Sequence, residues 1–436
     1  MMHIIESLIH MNRTIVSSDM KQCMSILGNE IPVTIHRYAS GKEYGTWMIP
    51  PQWDVKKAEL SDGNTIIASY DDHPLFLAPY SCSFTGWIDR DELLKHVRSA
   101  SHQPDAFSYD HRLAYDFQRR LNEWAITLPN SLVQNLDKEK YHIDIQVNTQ
   151  PGELLIGESM VKGQNNYTFA FLTHLCHPGQ ANDGLAGVAV GVEVMKRIRD
   201  EFETPNFNYQ LLIMPETIGS AVYLASNPDR IDSYLGSIFI EMPGIRSPVS
   251  IKKTYRRNTY LDRILRQVVM DRKIDFSECD FRKPWGNDEL IFDSPGVGIP
   301  SAAIQRYPFD AYHTSADDLA ATDQLNLDEI VEILLETVRV IESDFIPIPQ
   351  QRVPVYLTRY NLYADAKTER SQYFLNVSIL DALWDGKSVF DIAQKVKIPY
   401  SKVKDFVTKL QDHELIDQIR LEPKYFRQSL EEISDH

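Results

Sequence analysis

Residues 167–187 read YTFAFLTHLCHPGQANDGLAG, and this stretch decides the fold. The apolar run FAFL lacks the alternation of a half-exposed strand, as expected for a strand covered on both faces. It leads directly into His174-Leu175-Cys176-His177-Pro178, then Asn182-Asp183-Gly184, then a small-residue helix start in LAGVAVGVEVM. Five further runs follow the same habit: YHIDIQV (141–147), ELLIGESMV (153–161), YQLLIMPE (209–216), SIFIEMPG (237–244) and SAAIQRY (301–307). Helical spacing occupies about 185–202, 219–226, 258–272 and 327–343. Strands alternating with helices predict an α/β fold on a mixed, largely parallel sheet flanked by helices.

Outward from that core the character changes. Residues 1–48 carry two helical patterns, and 106–127 (helical spacing in YDHRLAYDFQRRLNEWAITL) returns to the core, giving a catalytic domain over 1–48 and 106–345. Residues 49–105 are rich in Trp, Pro, Asp and Gly with short alternating runs such as TIIASY, which predicts an inserted small β-domain. The proline-rich segment 346–358 reads as a linker. Beyond it, 359–436 holds three helical segments, two of them separated by a tight KIPY turn, with LIDQIRLEPKYF as a candidate wing. That predicts a winged helix-turn-helix.

The 436 residues exceed what one core usually serves, consistent with several domains. A net charge of -16 argues against nucleic acid as the main partner. The four cysteines are scattered with no CxxC pair, which fits a reducing compartment. The N-terminal stretch does not read as a signal sequence, and no apolar run of spanning length occurs, so the expectation is a cytoplasmic protein without membrane contact.

Ligands of open α/β sheets bind at the carboxyl ends of the strands. Here those ends carry His174, His177 and Asp183, then Glu216, then Glu241, and a polar loop after the last strand carries His313. Taken singly, each is explained as well by a cap or a structural hydrogen bond. Four strand ends presenting His, Asp or Glu together point to a divalent cation, zinc by donor type. Gly184 and Gly187 let backbone and helix approach such a site closely. A carboxylate beside a zinc site can take a proton from water and pass it to a leaving amine, and Glu216 is the candidate.

The order His…Asp-Gly, then Glu in PETIGS, an acid after a strand, NDE, and YHTSADDL resembles the zinc aminopeptidases related to bacterial leucyl aminopeptidase and glutaminyl cyclase. More narrowly, THLCHPGQANDGLAG, MPETIGS and WMIPPQWDVKKAEL resemble an aminopeptidase-like family first classed as a domain of unknown function. That family combines a peptidase core, an inserted β-domain and a C-terminal winged helix, and its members are named in connection with polysaccharide biosynthesis. The resemblance implies that Asp183 bridges metals, Glu216 is the general base, Glu241 is an acidic ligand and His313 the last histidine ligand. Asp288, in Gly286-Asn287-Asp288-Glu289, matches an acidic position near the active site. Two departures stand out. Thr217 replaces the second of two adjacent glutamates, and Cys176 replaces an aspartate two residues after the first histidine. With a ligand missing, the resemblance implies one tightly held zinc, with either His174 or His177 as ligand and a slight preference for His177.

The expected function is zinc-dependent hydrolysis of an amide bond in a small peptide, or in an aminoacyl or amino-sugar compound. The alternatives are a metal- or ligand-binding protein with weak turnover, which Thr217 favours, or a regulator using the C-terminal module. Between 371 and 420 seven Lys/Arg balance seven Asp/Glu. That neutrality favours protein contact, including self-association, over DNA.

Overall fold

The computed structural model describes residues 1–429. Its main sheet has eight strands: β1 (Thr34–Ala39), β2 (Glu153–Val161), β3 (Thr168–His174), β4 (Asn208–Met214), β5 (Tyr234–Glu241), β6 (Val249–Lys252), β7 (Phe276–Cys279) and β8 (Ser301–Arg306). They lie in the order β1-β2-β4-β3-β5-β8-β6-β7. The four central strands, β4, β3, β5 and β8, run parallel, and every residue in them is buried. Burial on both faces is what their unbroken apolar runs require.

The chain leaves β3 for β4 on one side and returns to β5 on the other, so the order reverses at the carboxyl end of β3. In an open α/β sheet that reversal opens a crevice. Register sets what fills it. His174 at the end of β3 is level with Met214, two residues before Glu216. Leu172 is level with Phe239, so two residues on His174 is level with Glu241.

The helix Gly187–Glu201 joins β3 to β4 and starts hard against β5. A Cβ on Gly187 would meet the Ile240 carbonyl oxygen at 2.4 Å. Gly187→Ala should therefore push the helix start off the sheet at a cost on the order of 1–3 kcal/mol. Gly28, inside Asp19–Glu30 with open space around its Cα, is the control. Gly28→Ala should be stabilising by up to about 1 kcal/mol. Equal denaturation midpoints for the two variants would refute the packing argument.

Three sequence readings need correcting. The run YHIDIQV is not in the main sheet: Lys140–Gln150 pairs with Gln52–Ser61 and Phe84–Asp89 in a separate four-stranded sheet completed by Ile66–Ser69. The β-module read at 49–105 thus also draws on 140–150. The reason is visible in the burial of this strand, which alternates over Tyr141, Ile143 and Ile145 because only one face is covered. Second, the helical spacing over 106–127 yields just the short helix Arg112–Tyr115. There Asp110 holds the Arg112 backbone and guanidinium, and Asp116 grips Arg119 and Arg120, so local side-chain bonds compete with helix.

Third, the supposed linker is partly structure. Phe345–Pro349 pairs antiparallel with Ile416–Arg420, so LIDQIRLEPKYF forms a strand and then the short helix Pro423–Arg427, not a hairpin wing of its own. Prolines are tolerated here because the two-stranded pairing leaves a free edge. The chain resolves into two compact units, one over Met1–Leu335 and the other over Glu336–Phe426. In the second, helices Arg370–Ala382, Val389–Val396 and Tyr400–Asp412 pack Ile379, Ile392, Val403, Phe406 and Leu410 around Phe345 and Ile416. The side chain of Ser388 caps Val389–Val396 by accepting from the Asp391 N–H. Among the described residues no helix is long and apolar enough to cross a membrane.

Candidate metal centre

The crevice beyond β3 gathers six of the seven residues singled out from sequence. His174 Nε2 lies 2.9 Å from Glu241 Oε2 and 3.4 Å from Asp183 Oδ1. The other oxygen of Asp183 lies 3.2 Å from His313 Nε2. His177 Nδ1 is 3.0 Å from His174 Nδ1, and His177 Nε2 is 3.5 Å from Glu216 Oε2. These side chains form two donor groups that share one carboxylate. His174, Asp183 and Glu241 make the first, and His177, Asp183 and His313 the second; His174, Cys176, His177 and Glu216 make a third group that overlaps both.

Local structure fixes each donor. Asp183 and Gly184 sit in an irregular turn between β3 and the helix Gly187–Glu201, and Gly184 has φ +101°, open to glycine at no steric cost. The Asn182 and Asp183 N–H groups both donate to the buried carboxylate of Asp317, which clamps that turn. The loop carrying His177 is held from the far N-terminus. The guanidinium of Arg13, wholly buried, donates to the carbonyls of Leu175, His177 and Gln180. Asn287 donates to Glu241 Oε2 at 2.7 Å and so fixes the carboxylate from the other side.

Three non-glycine residues at the rim have positive φ: Thr217 (63°), Met242 (40°) and His313 (57°). A β-branched threonine there is strained, and such strain concentrates at functional sites. It persists at Thr217 because Asp288 Oδ1 accepts the Thr217 N–H at 2.9 Å. Asp288 is buried behind this turn and belongs to neither donor group. What the structure gives it is the task of holding the backbone next to Glu216.

The electrostatics are those of a cation site. Burial, reinforced by the charges of Asp183, Asp288 and Glu241 and opposed by His174, pushes Glu216 up to about 8. Burial likewise lifts Glu241, against the pull of His174. Burial would lift Asp183 too, but His177, His313 and His174 hold it below the usual carboxylate range. Burial, with His174 and His313 adding to it, keeps His177 far below its ordinary value despite Asp183, which favours a neutral imidazole with one ring-nitrogen lone pair to give. Asp183 Oδ2 is buried and receives no hydrogen bond. An orphaned carboxylate oxygen 3.2 Å from His313 Nε2 fits a divalent metal, and nitrogen with carboxylate oxygen is a zinc-type donor set.

A cleft of about 630 Å³ opens over these groups. Tyr109, Tyr115, Trp285 and Tyr312 wall it, and His111 lies among them. Trp285 stacks on Tyr312 (4.8 Å between centroids), which stacks on His313 (3.9 Å). Sequence reasoning missed Arg13, Asn287 and Asp317 as supports and these aromatics as walls. Asp317 and Tyr312 lie inside the quoted YHTSADDL, and Asn287 opens the quoted NDE. Cys176, noted as a replacement for aspartate, accepts the Glu216 N–H through Sγ at 3.1 Å.

Comparison with known proteins bears on the family and the fold. The profile of a family described as Domain of unknown function (DUF4910) matches residues 2–344. A Clostridium acetobutylicum protein, provisionally named a polysaccharide biosynthesis protein with aminopeptidase-like domain, is 27% identical over 411 residues, 92% of each chain. Among solved structures, one from Clostridium acetobutylicum provisionally termed a peptidase superposes with a TM-score of 0.83 at 24% identity, covering 96% of both chains. A zinc aminopeptidase from Bacillus subtilis superposes with a TM-score of 0.55 at 12% identity, over 78% of this chain and 93% of the other. At these identities the structural likeness establishes the fold, a mixed α/β sheet of the aminopeptidase kind.

Proposed function

The chain belongs to the family described as Domain of unknown function (DUF4910), and from that premise we propose that it is a zinc-dependent hydrolase of amide bonds, of the aminopeptidase type. The reading rests on one observation: two donor groups share Asp183, with Glu216 beside them. The substrate class is a small peptide or an aminoacyl compound, and the name of the Clostridium acetobutylicum relative adds an amino-sugar amide of polysaccharide synthesis as a candidate. The aminopeptidase-type neighbours support the hydrolytic reading through their fold.

His174, Asp183 and Glu241 would hold one cation and His177, Asp183 and His313 a second. Sequence alone pointed to a single ion because Thr217 lacks a ligand side chain; the position of His177 supports a pair. Zinc held there would supply Lewis acidity, which acidifies water and polarises a carbonyl. The rest falls to the chain. Glu216 takes the proton from the attacking water and hands it to the departing amine. Asp288 and Cys176 fix the backbone on either side of Glu216, so the carboxylate meets that proton at a set place. The aromatic walls exclude bulk water from the reacting carbonyl.

Metal analysis of purified protein tests the assignment. The parent should carry up to two equivalents of zinc and release N-terminal residues from short peptides. His313→Ala should lose one equivalent and keep the ion held by His174 and Glu241. Asp183→Ala, which removes the shared carboxylate, should lose both. Full zinc content in Asp183→Ala would overturn the site.

A further inference from the structure

The cleft over the metal centre is electrically graded. Its floor carries the carboxylate of Glu216 with His177 and His313. Its middle is aromatic, with Trp285 and Tyr312 on one wall and Tyr109 and Tyr115 on the other. The remaining charged lining comes from one short stretch, Arg112, Asp116, Arg119 and Arg120. Within it two guanidinium groups share one carboxylate: Arg119 reaches Asp116 Oδ1 at 2.6 Å and Arg120 reaches Asp116 Oδ2 at 2.9 Å. Arg120 also touches Glu123, and Arg112 is matched by Asp110. Arg98 also reaches Asp110, so four arginines meet three carboxylates along this edge.

This local excess of positive charge runs against a chain of net charge -16. An acidic protein repels anions at long range, so a basic edge on this one cleft has meaning for what enters it. Arg119 is 82% exposed at the side chain and its fork still has N–H groups to offer. Planar guanidinium donors match carboxylate and phosphate oxygens two at a time. A cleft of about 630 Å³ is the size that takes a small molecule and not a folded protein.

We propose that the substrate is a short zwitterionic acyl amine, of di- or tripeptide size, whose far end is an anion held by Arg119 and Arg120. Its amino end lies at the metal centre, its scissile amide lies beside Glu216, and its anionic end reaches the arginines. The anion is a carboxylate or a phosphate, which share this recognition chemistry. The proposal rests on the amide-hydrolase reading above.

The test uses zinc-loaded full-length Glu216→Gln, so that binding is measured without turnover. Titration calorimetry compares trialanine, trialanine amide, and alanyl-aminoethyl phosphate. The first or third should bind at least about tenfold more tightly than the amide, and whichever is tighter identifies the natural anion. Raising salt should weaken the carboxylate or phosphate probe by a larger factor than the amide. Adding R119Q and R120Q should bring the ratio of acid to amide affinity to about one, with zinc content kept. Equal affinities in the parent background, or a preference that survives the double substitution, would overturn the proposal. Hydrolysis by the unsubstituted protein separates the two levels. Cleavage of trialanine amide as fast as trialanine sinks the anionic anchor alone, whereas cleavage of no amide by zinc-loaded protein sinks the hydrolase reading and the anchor with it.

Discussion

Replacing Glu216 by Gln should remove the proposed amide hydrolysis, with kcat lowered by at least about 10²–10⁴-fold, while zinc content and the fold should persist. Glutamine keeps the shape of glutamate and the backbone contacts, in which the Glu216 N–H donates to Cys176 and the Glu216 carbonyl accepts from Tyr115. What it lacks is a basic oxygen. The side chain is 19% exposed, enough to face the cleft and little enough to escape bulk solvation. Burial and its acidic neighbours push Glu216 up to about 8. A divalent cation held among Asp183, Glu241 and the imidazoles would offset those same negative charges and return the carboxylate toward its ionised form. Basicity and geometry then coincide in one residue. Steady-state rates on a peptide amide, with metal analysis of the same sample, check the claim. A Glu216→Gln variant within threefold of the parent would transfer the proton-moving role elsewhere, and an equal loss of zinc would make Glu216 a ligand.

The strand ends could be read from the sequence because the central strands are parallel and covered on both faces. Each appears as an unbroken apolar run, and the first His or Glu after it marks the carboxyl end. His174, Glu216 and Glu241 were found that way, and sheet register then brings His174 level with Glu241 and puts Glu216 two residues beyond that level. Lys140–Gln150 was misread because its apolar residues were counted and their alternation overlooked. Period two in YHIDIQV already marked a one-sided strand. Arg13 was beyond reach: it supports a loop more than 160 residues away, and a lone arginine near a terminus carries no local signal. The place of His177 was hidden for a related reason. Spacing shows that two histidines are close, but only the turn at Gly184 decides which one faces His313. The arginines of the cleft were legible as a run of charge and not as a wall, since the helical spacing around them masked the local bonds of Asp110 and Asp116.

Lys252→Met should destabilise the protein by about 3–5 kcal/mol, because it strands a carboxylate in the interior. Lys252 ends β6, and its ammonium lies 2.6 Å from Glu289 Oε1 with both side chains fully buried. The second oxygen of Glu289 accepts the Asn287 N–H at 3.1 Å. Asn287 in turn donates to Glu241, so the pair braces one donor of the first metal position. Two charges withdrawn from water are stable together and costly apart. Exchanging both for apolar residues of similar volume, Lys252→Met with Glu289→Leu, should therefore recover most of the lost stability. It should not recover zinc affinity to the same degree, because the leucine cannot accept from Asn287 and Glu241 loses its fixed orientation. Denaturation midpoints and zinc titrations on the single and double variants separate the effects. A single variant that loses less than about 1 kcal/mol would mean that water reaches Glu289. A double variant with parental zinc affinity would mean that Asn287 holds Glu241 without this support.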